Sequence, residues 1–141
     1  LCVNASNREK ITSWLFQKAP QGDVRLSDES DELAQIALQG PHSTEVLRAV
    51  SPHAAETLMP RQCMQTDVLD MLAIVSRTGY TGEVGYELYI PSRKAATVWE
   101  TLMKAGEQAG IKPCGLGARD LLRLEVGYLL YGNDIDEQTT P

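Results

Sequence analysis

Apolar side chains recur at a spacing of three and four residues in several stretches, which is typical of amphipathic helices. The segment "NREKITSWLFQKA" places Ile11, Trp14 and Leu15 in this way. It predicts a helix over residues 7–18, and Pro20 is expected to end it because proline cannot continue a helix.

Two further helices follow from the same spacing in the C-terminal half. The segment "SRKAATVWETLMKAGEQAG" predicts a helix over residues 94–109, capped by Ser92 and stopped by Gly110. The segment "GLGARDLLRLEVG" predicts a last helix over residues 118–126. Two short helices are expected in "HSTEVLRAV" and "PHAAETLM".

Other stretches alternate apolar and polar residues or form short apolar runs between turn residues, which indicates strands. The predicted strands are "LCVN", a segment with Val24 and Leu26, a segment running from Leu33 to Leu38, a hairpin around Asp70, and a strand from Tyr86 to Ile90. Short strands joined by hairpins and mixed with helices favour an α+β fold with an antiparallel sheet flanked by helices.

Length and charge limit the class of protein. The chain has 141 residues, of which 43% are apolar and 23% charged, as expected for one soluble domain. No apolar run approaches the roughly 20 residues of a membrane span, and no signal peptide is visible. The net charge of −6 argues against nucleic acid as a partner. Leu1 in place of Met, and the interruption of a dense pattern at Pro141, predict a segment of a longer polypeptide.

The cysteines do not indicate a metal site. Cys2, Cys63 and Cys114 are far apart and form no CxxC pair, which argues against zinc, and their odd number argues against a disulfide framework. We expect reduced, buried thiols.

The stretch "RTGYTGEVGYELYIP" has three glycines at three-residue spacing, Gly79, Gly82 and Gly85. It lacks the Lys-Ser/Thr ending of a phosphate loop, so the glycines are expected to allow a tight turn or a close approach of the backbone. Tyr80 and Glu87 lie near opposite ends of this turn. Glu87 stands in an otherwise apolar strand, either on a solvated face or buried with a partner.

The stretch "GLGARD" places Arg119 in the first turn of a helix, where a cation opposes the helix dipole. Such an arginine is expected to serve either an anionic ligand or a salt bridge with a neighbouring acid. Arg123 lies one turn further and can share a face with it. Tyr128 and Tyr131 are interpreted as packing residues. The acidic run "NDIDE" fits no calcium loop and is interpreted as a solvated loop.

Four stretches resemble one family, and together they cover nearly the whole chain in order. They are "LCVNASNREK", "IALQGP", "SRTGYTGEVGYEL" and "KPCGLGARDLLRLEVGYLLYGNDIDEQTTP". The family is the aminomethyltransferases, the T-proteins of the glycine cleavage system. Ile11 departs from the pattern, because many members carry Asp after "EK".

The resemblance implies a three-domain enzyme that binds tetrahydrofolate in a central hole. It implies transfer of a one-carbon unit from the aminomethyl-lipoyl arm of the H-protein to tetrahydrofolate, with release of ammonia and formation of 5,10-methylenetetrahydrofolate. Other glycine cleavage components would be further partners, with no nucleic acid and no membrane. Glu87 matches the position that binds the pterin edge and Arg119 a ligand-site arginine, while Asn4, Tyr80 and Tyr128 match positions that line the same site.

The resemblance also implies that parts of the enzyme lie outside this chain. The catalytic aspartate would lie upstream and the C-terminal barrel domain, with a further arginine, downstream, so no catalytic residue is assigned and the chain is expected to be inactive alone. A cytoplasmic location is implied for a bacterial protein, and the mitochondrial matrix for a eukaryotic one. The alternatives are the folate-binding part of a sarcosine or dimethylglycine dehydrogenase, or a non-catalytic folate-binding module.

Overall fold

The computed structural model describes residues 1–19 and 22–140. Within it the chain forms two compact units, one from residues 1–29 together with 129–141 and the other from Ser30–Tyr128. Pro20, which was expected to end the first helix, lies outside the described residues.

The first unit contains the helix predicted for the N-terminal segment. A 3₁₀ turn, Ala5–Asn7, leads into helix α1, Arg8–Lys18, so this prediction is confirmed. The predicted strands "LCVN" and around Val24 are wrong, because both segments are irregular. A strand is held by backbone hydrogen bonds to a neighbour, and no described strand pairs with either segment.

The second unit is built on a four-stranded sheet in the order β1-β4-β3-β2, in which all neighbours are antiparallel. The strands are β1 Leu33–Gln39, β2 Cys63–Val68, β3 Met71–Ser76 and β4 Gly85–Pro91. The hairpin around Asp70 is present between β2 and β3. The predicted α+β fold with an antiparallel sheet is therefore confirmed.

One face of the sheet carries the hydrophobic core. Side chains alternate between the two faces of a strand, and along β1 Ile36 and Leu38 are buried while Gln35 and Ala37 are exposed. The buried face packs against the short helices α2, Ser43–Leu47, and α3, Pro52–Thr57, and against α4, Ala95–Ala105. The core residues are Ile36, Leu38, Val46, Leu47, Val50, Ala54, Ala55, Leu58, Val68, Ala73, Val75, Tyr86, Leu88, Ile90, Val98 and Leu102.

Helix α4 differs from its prediction at both ends. Ser92 begins a 3₁₀ turn instead of capping the helix, and no side-chain cap is present at the start of α4. The helix ends at Ala105, before Gly106, and not at Gly110. The chain turns at Gly106 because Ile111 packs there, and a Cβ at this position would lie 2.7 Å from the Cβ of Ile111.

Helix α5, Leu116–Glu125, begins two residues earlier and ends one residue earlier than the predicted 118–126. Its leucines are exposed and Arg123 is its only buried described residue. The three cysteines are also exposed, so the expectation of buried thiols is wrong. Each lies outside the core cluster, on an irregular segment or on the outer side of edge strand β2.

Candidate functional site

Glu87 lies on the face of the sheet opposite the core. Its chain neighbours Tyr86 and Leu88 are fully buried, whereas Glu87 is half-buried. In the adjoining strands it stands between Ala37 of β1 and Ser76 of β3. The alternation of strand side chains therefore places Glu87, the only acid of β4, on the face of the sheet opposite the core.

Two side chains hold the carboxylate of Glu87. The amide of Gln35 donates to its Oε1 atom at 2.8 Å, and the hydroxyl of Thr78 donates to its Oε2 atom. The hydroxyl of Ser76 lies 2.8 Å from that of Thr78 and extends the chain of hydrogen bonds. Glu87 thus shares features of both interpretations, because it lies on the face opposite the core but is half-buried and has hydrogen-bond partners.

The three glycines of the turn have two structural reasons. A Cβ at Gly79 or Gly85 would lie 1.9 or 2.0 Å from the amide oxygen of Gln39, so both positions exclude any other residue in this arrangement. Gly82 has φ +79°, and a Cβ there would lie 2.5 Å from the side chain of Val126. The expected close approach is thus confirmed, and it is made by side chains of this unit.

Beyond this turn, Tyr80 joins an aromatic and cationic cluster. Its ring stacks on that of Tyr128, with centroids 5.7 Å apart and an interplanar angle of 25°. The guanidinium of Arg119 lies over the Tyr80 ring, 5.1 Å from its centroid. Tyr128 is 42% exposed, so its ring is a surface and not a core element. Three of the predicted site residues are therefore brought together.

The two arginines of α5 have different surroundings. Arg119 is exposed, and no carboxylate lies within ion-pair distance of it among the described residues. Arg123 is buried and binds Asp120 and the carbonyl oxygen of Tyr128. The salt bridge that was considered for Arg119 is thus made by Arg123, and the donors of Arg119 remain available to a ligand.

Asn4, the fifth predicted residue, belongs to the other unit. Its carbonyl oxygen accepts a hydrogen bond of 2.9 Å from the backbone of Asn7, and its side chain makes no capping hydrogen bond. Its assignment to a ligand site stays a prediction.

Sequence reasoning gave no role to Gln35, Thr78 or Gln39, and it named Arg123 without its partners. Each makes a hydrogen bond to a residue far from it in the sequence or to a backbone carbonyl, and such partners are decided by the fold. One signal was present: Gln39 ends an apolar strand at "LQGP", where a polar side chain interrupts the pattern.

The acidic loop of the first unit forms local turns. Asp134 accepts a hydrogen bond from the backbone of Leu130, and Asp136 accepts one from the backbone of Gln138, which lowers the pKa of Asp136. Lys10 donates to Glu137 and to the hydroxyl of Tyr131, and these bonds raise the pKa of Lys10. No metal-ligand cluster and no helix able to cross a membrane occurs in residues 1–19 and 22–140.

Comparison with known proteins identifies similar chains over the full length. The chain is 48% identical over 141 residues to an aminomethyltransferase of Halothermothrix orenii and 47% identical to one of Chloroherpeton thalassium. It spans 39% of the length of each of these relatives. A crystal structure of the glycine cleavage system aminomethyltransferase T from Bartonella henselae matches with a TM-score of 0.81 and 32% identity. That match covers 98% of this chain and 36% of the crystallised one.

A family model supports the same assignment independently of any single relative. The model described as the GCVT N-terminal domain matches residues 1–141. Because the match extends over the whole chain, and because the antiparallel sheet with its helices agrees with the solved T-protein, this chain belongs to the GCVT N-terminal domain family.

Proposed function

We propose that the protein containing this chain is an aminomethyltransferase of the glycine cleavage system. Its relatives over the whole chain carry this name, and the similar solved structure is a glycine cleavage T-protein. The chain accounts for 39% of the length of those relatives, and we propose that the catalytic acid and a C-terminal barrel domain belong to the remainder.

The observation that carries the proposal is the hydrogen-bonding capacity that remains on the Glu87 carboxylate. A carboxylate has about four acceptor sites, two on each oxygen. Gln35 occupies one site on Oε1, and Thr78 occupies one on Oε2. One site therefore remains on each oxygen. A pair of adjacent donors fits this arrangement, and the pterin edge of tetrahydrofolate offers an N–H and an amino group side by side.

The cluster beside the turn complements this contact. Tyr80 and Tyr128 form a stacked pair, and Arg119 presents planar N–H donors above it. In this proposal Arg119 meets a carbonyl or carboxylate of tetrahydrofolate, and the two tyrosines line its binding site. Asn4 is proposed as a further binding residue from its place in the family pattern.

The role of this chain in the reaction is to bind and orient. The N5 and N10 atoms of tetrahydrofolate are the nucleophiles, and the aminomethyl carbon on the lipoyl arm of the H-protein is the electrophile. The two C–N bonds that form to this carbon replace its bond to nitrogen, which leaves as ammonia, and its bond to sulfur, which stays on the lipoyl arm as a thiol. Holding the reacting atoms in contact removes much of the entropic barrier to their reaction. A residue that fixes the pterin edge therefore affects turnover as well as binding.

The test is a substitution in the full-length enzyme. Glu87→Gln preserves the shape of the side chain and replaces one acceptor oxygen by a donor. A charge-assisted hydrogen bond contributes about 1.5–3 kcal/mol, so we expect tetrahydrofolate to bind about 10- to 100-fold more weakly by calorimetry. Ammonia release from aminomethyl-lipoyl H-protein should fall in parallel.

The matched control is Glu100→Gln, which makes the same change in charge on the exposed side of α4. It should leave both measurements unchanged. Unaltered binding in Glu87→Gln would remove Glu87 from the site. Tight binding of tetrahydrofolate by the wild-type enzyme with no transfer from the H-protein would favour a non-catalytic binding module instead.

A further inference from the structure

Gln39 binds both ends of the glycine turn, the segment from Thr78 to Tyr86. It ends strand β1, and its Nε2 atom donates to the carbonyl oxygen of Thr78 at 3.2 Å and to that of Tyr86 at 3.1 Å. These two carbonyls lie at the beginning and at the end of the turn. A single amide group therefore holds both ends of the segment from Thr78 to Tyr86.

The amide of Gln39 packs directly against the backbone of two glycines, Gly79 and Gly85. The ideal Cβ positions of Gly79 and Gly85 lie 1.9 and 2.0 Å from the Oε1 atom of Gln39, closer than any side chain permits. Two of the three glycines in the turn are thus required by one glutamine. A side chain inserted between two glycines is held in one orientation, since neither side offers room for another rotamer.

Stability alone is a weak reason for a glutamine at this place. The Oε1 atom is buried and has no hydrogen-bond partner in the described part of the chain. A buried polar atom without a partner costs about 1–3 kcal/mol, whereas two neutral hydrogen bonds contribute about 0.5–1.5 kcal/mol each. The net contribution is close to zero, so the position of the held carbonyls is the more important consequence.

The two residues whose carbonyls Gln39 holds are both adjacent to Glu87. Tyr86 is its chain neighbour, and Thr78 donates its hydroxyl to the carboxylate. We infer that Gln39 is a positioning residue that orients the Glu87 carboxylate toward tetrahydrofolate by clamping Tyr86 and Thr78. This inference rests on the proposed function, because it takes Glu87 as the residue that binds the substrate.

The first experiment replaces Gln39 by Met in the full-length enzyme. Methionine has a similar length and volume but donates no hydrogen bond, so the two carbonyls are released. We expect tetrahydrofolate to bind about 3- to 30-fold more weakly by calorimetry, in line with the loss of one to two hydrogen bonds. The control is Gln65→Met at an exposed position of strand β2, and this variant should bind as the wild type does.

The second experiment asks whether Gln39 acts through Glu87. In the Glu87→Gln background, Gln39→Met should weaken binding less than about twofold, because residues in one network are not additive. A purely structural residue would weaken binding by the same factor in both backgrounds. Thr78→Val should weaken binding, because valine lacks the hydroxyl group. Thr78→Ser retains the hydroxyl and should bind as the wild type does.

The outcomes separate the two proposals. Wild-type affinity in Glu87→Gln would overturn the proposed role of Glu87 in binding tetrahydrofolate. A loss in Glu87→Gln together with wild-type affinity in Gln39→Met would overturn this inference alone. If Gln39→Met does not fold, Gln39→Asn replaces it, because the shorter amide reaches at most one carbonyl. Failure of both variants to fold would assign Gln39 to stability and also overturn the inference.

Discussion

The carboxylate of Asp120 is bonded to the guanidinium of Arg123, with N–O distances of 2.7 and 2.8 Å, although Arg119 is its neighbour in the sequence. Residues i and i+3 lie on the same side of a helix, whereas adjacent residues point in different directions. Arg123 also donates to the carbonyl oxygen of Tyr128 at 3.0 Å. Arg123 therefore links α5 to the residue that follows its C-terminal end, whereas Arg119 stays exposed over the ring of Tyr80.

We expect Arg123→Met to destabilise the protein. The substitution leaves the Tyr128 carbonyl and Asp120 without their donor, and a hydrogen bond to a charged group contributes about 1.5–3 kcal/mol. The Asp120 side chain is 59% exposed and recovers solvation, so the expected loss is at the lower end. Thermal unfolding should show a decrease of several degrees in Tm. Arg48→Met is the control, because the exposed side chain of Arg48 makes a long ion pair of 4.0 Å with Glu56 that contributes little, and its Tm should be unchanged.

Unlike Arg123→Met, the substitution Arg119→Lys should weaken ligand binding and leave the stability of the fold unchanged. Lysine preserves the charge and loses the planar arrangement of donors, so a ligand that needs two parallel hydrogen bonds is bound less well. We expect weaker tetrahydrofolate binding and slower turnover of the full-length enzyme, with Tm within about a degree of the wild type because Arg119 is exposed. Normal activity with a Tm several degrees lower would show that Arg119 supports the fold and not the ligand site.

Gly82→Ala should be strongly destabilising for two separable reasons. The left-handed backbone at φ +79° costs a non-glycine residue about 1–2 kcal/mol, and the added methyl group meets Val126 at 2.5 Å. Adding Val126→Ala should remove the 2.5 Å contact with Cγ1 and leave both the 3.2 Å contact with Cβ and the cost of the backbone conformation. The double variant should therefore recover part of the lost unfolding free energy in a denaturant titration. A double variant as stable as the wild type would contradict the backbone contribution.

Gly85→Ala should destabilise through Gln39 alone. A Cβ at Gly85 overlaps the amide of Gln39, and overpacking of this kind costs about 1–3 kcal/mol. Truncation in Gln39→Ala removes the obstructing group, so the double variant should be more stable than Gly85→Ala. Denaturant unfolding of the four proteins measures this coupling. Strictly additive losses would mean that the glycine is required for another reason.

Local pattern was sufficient for elements that bury one face within this chain. The helical spacing of Val98 and Leu102 and the alternation of Ile36 and Leu38 were visible in the sequence, and both pairs are buried in the core. The antiparallel sheet followed from short strands joined by hairpins. The strand predicted at "LCVN" failed because pairing with a neighbour, and not its own composition, decides whether a segment becomes a strand.

The sequence by itself determined the family, the fold class and the identity of the unusual residues Glu87 and Arg119, since these depend on residue type and order. Only the tertiary structure decided which residues interact. It brought Gln35 into contact with Glu87 across 52 positions and Gln39 into contact with Tyr86 across 47. It also paired Asp120 with Arg123 instead of Arg119. Hydrogen bonds depend on distances of about 3 Å and on direction, and only the folded backbone brings residues so far apart in the sequence into that range.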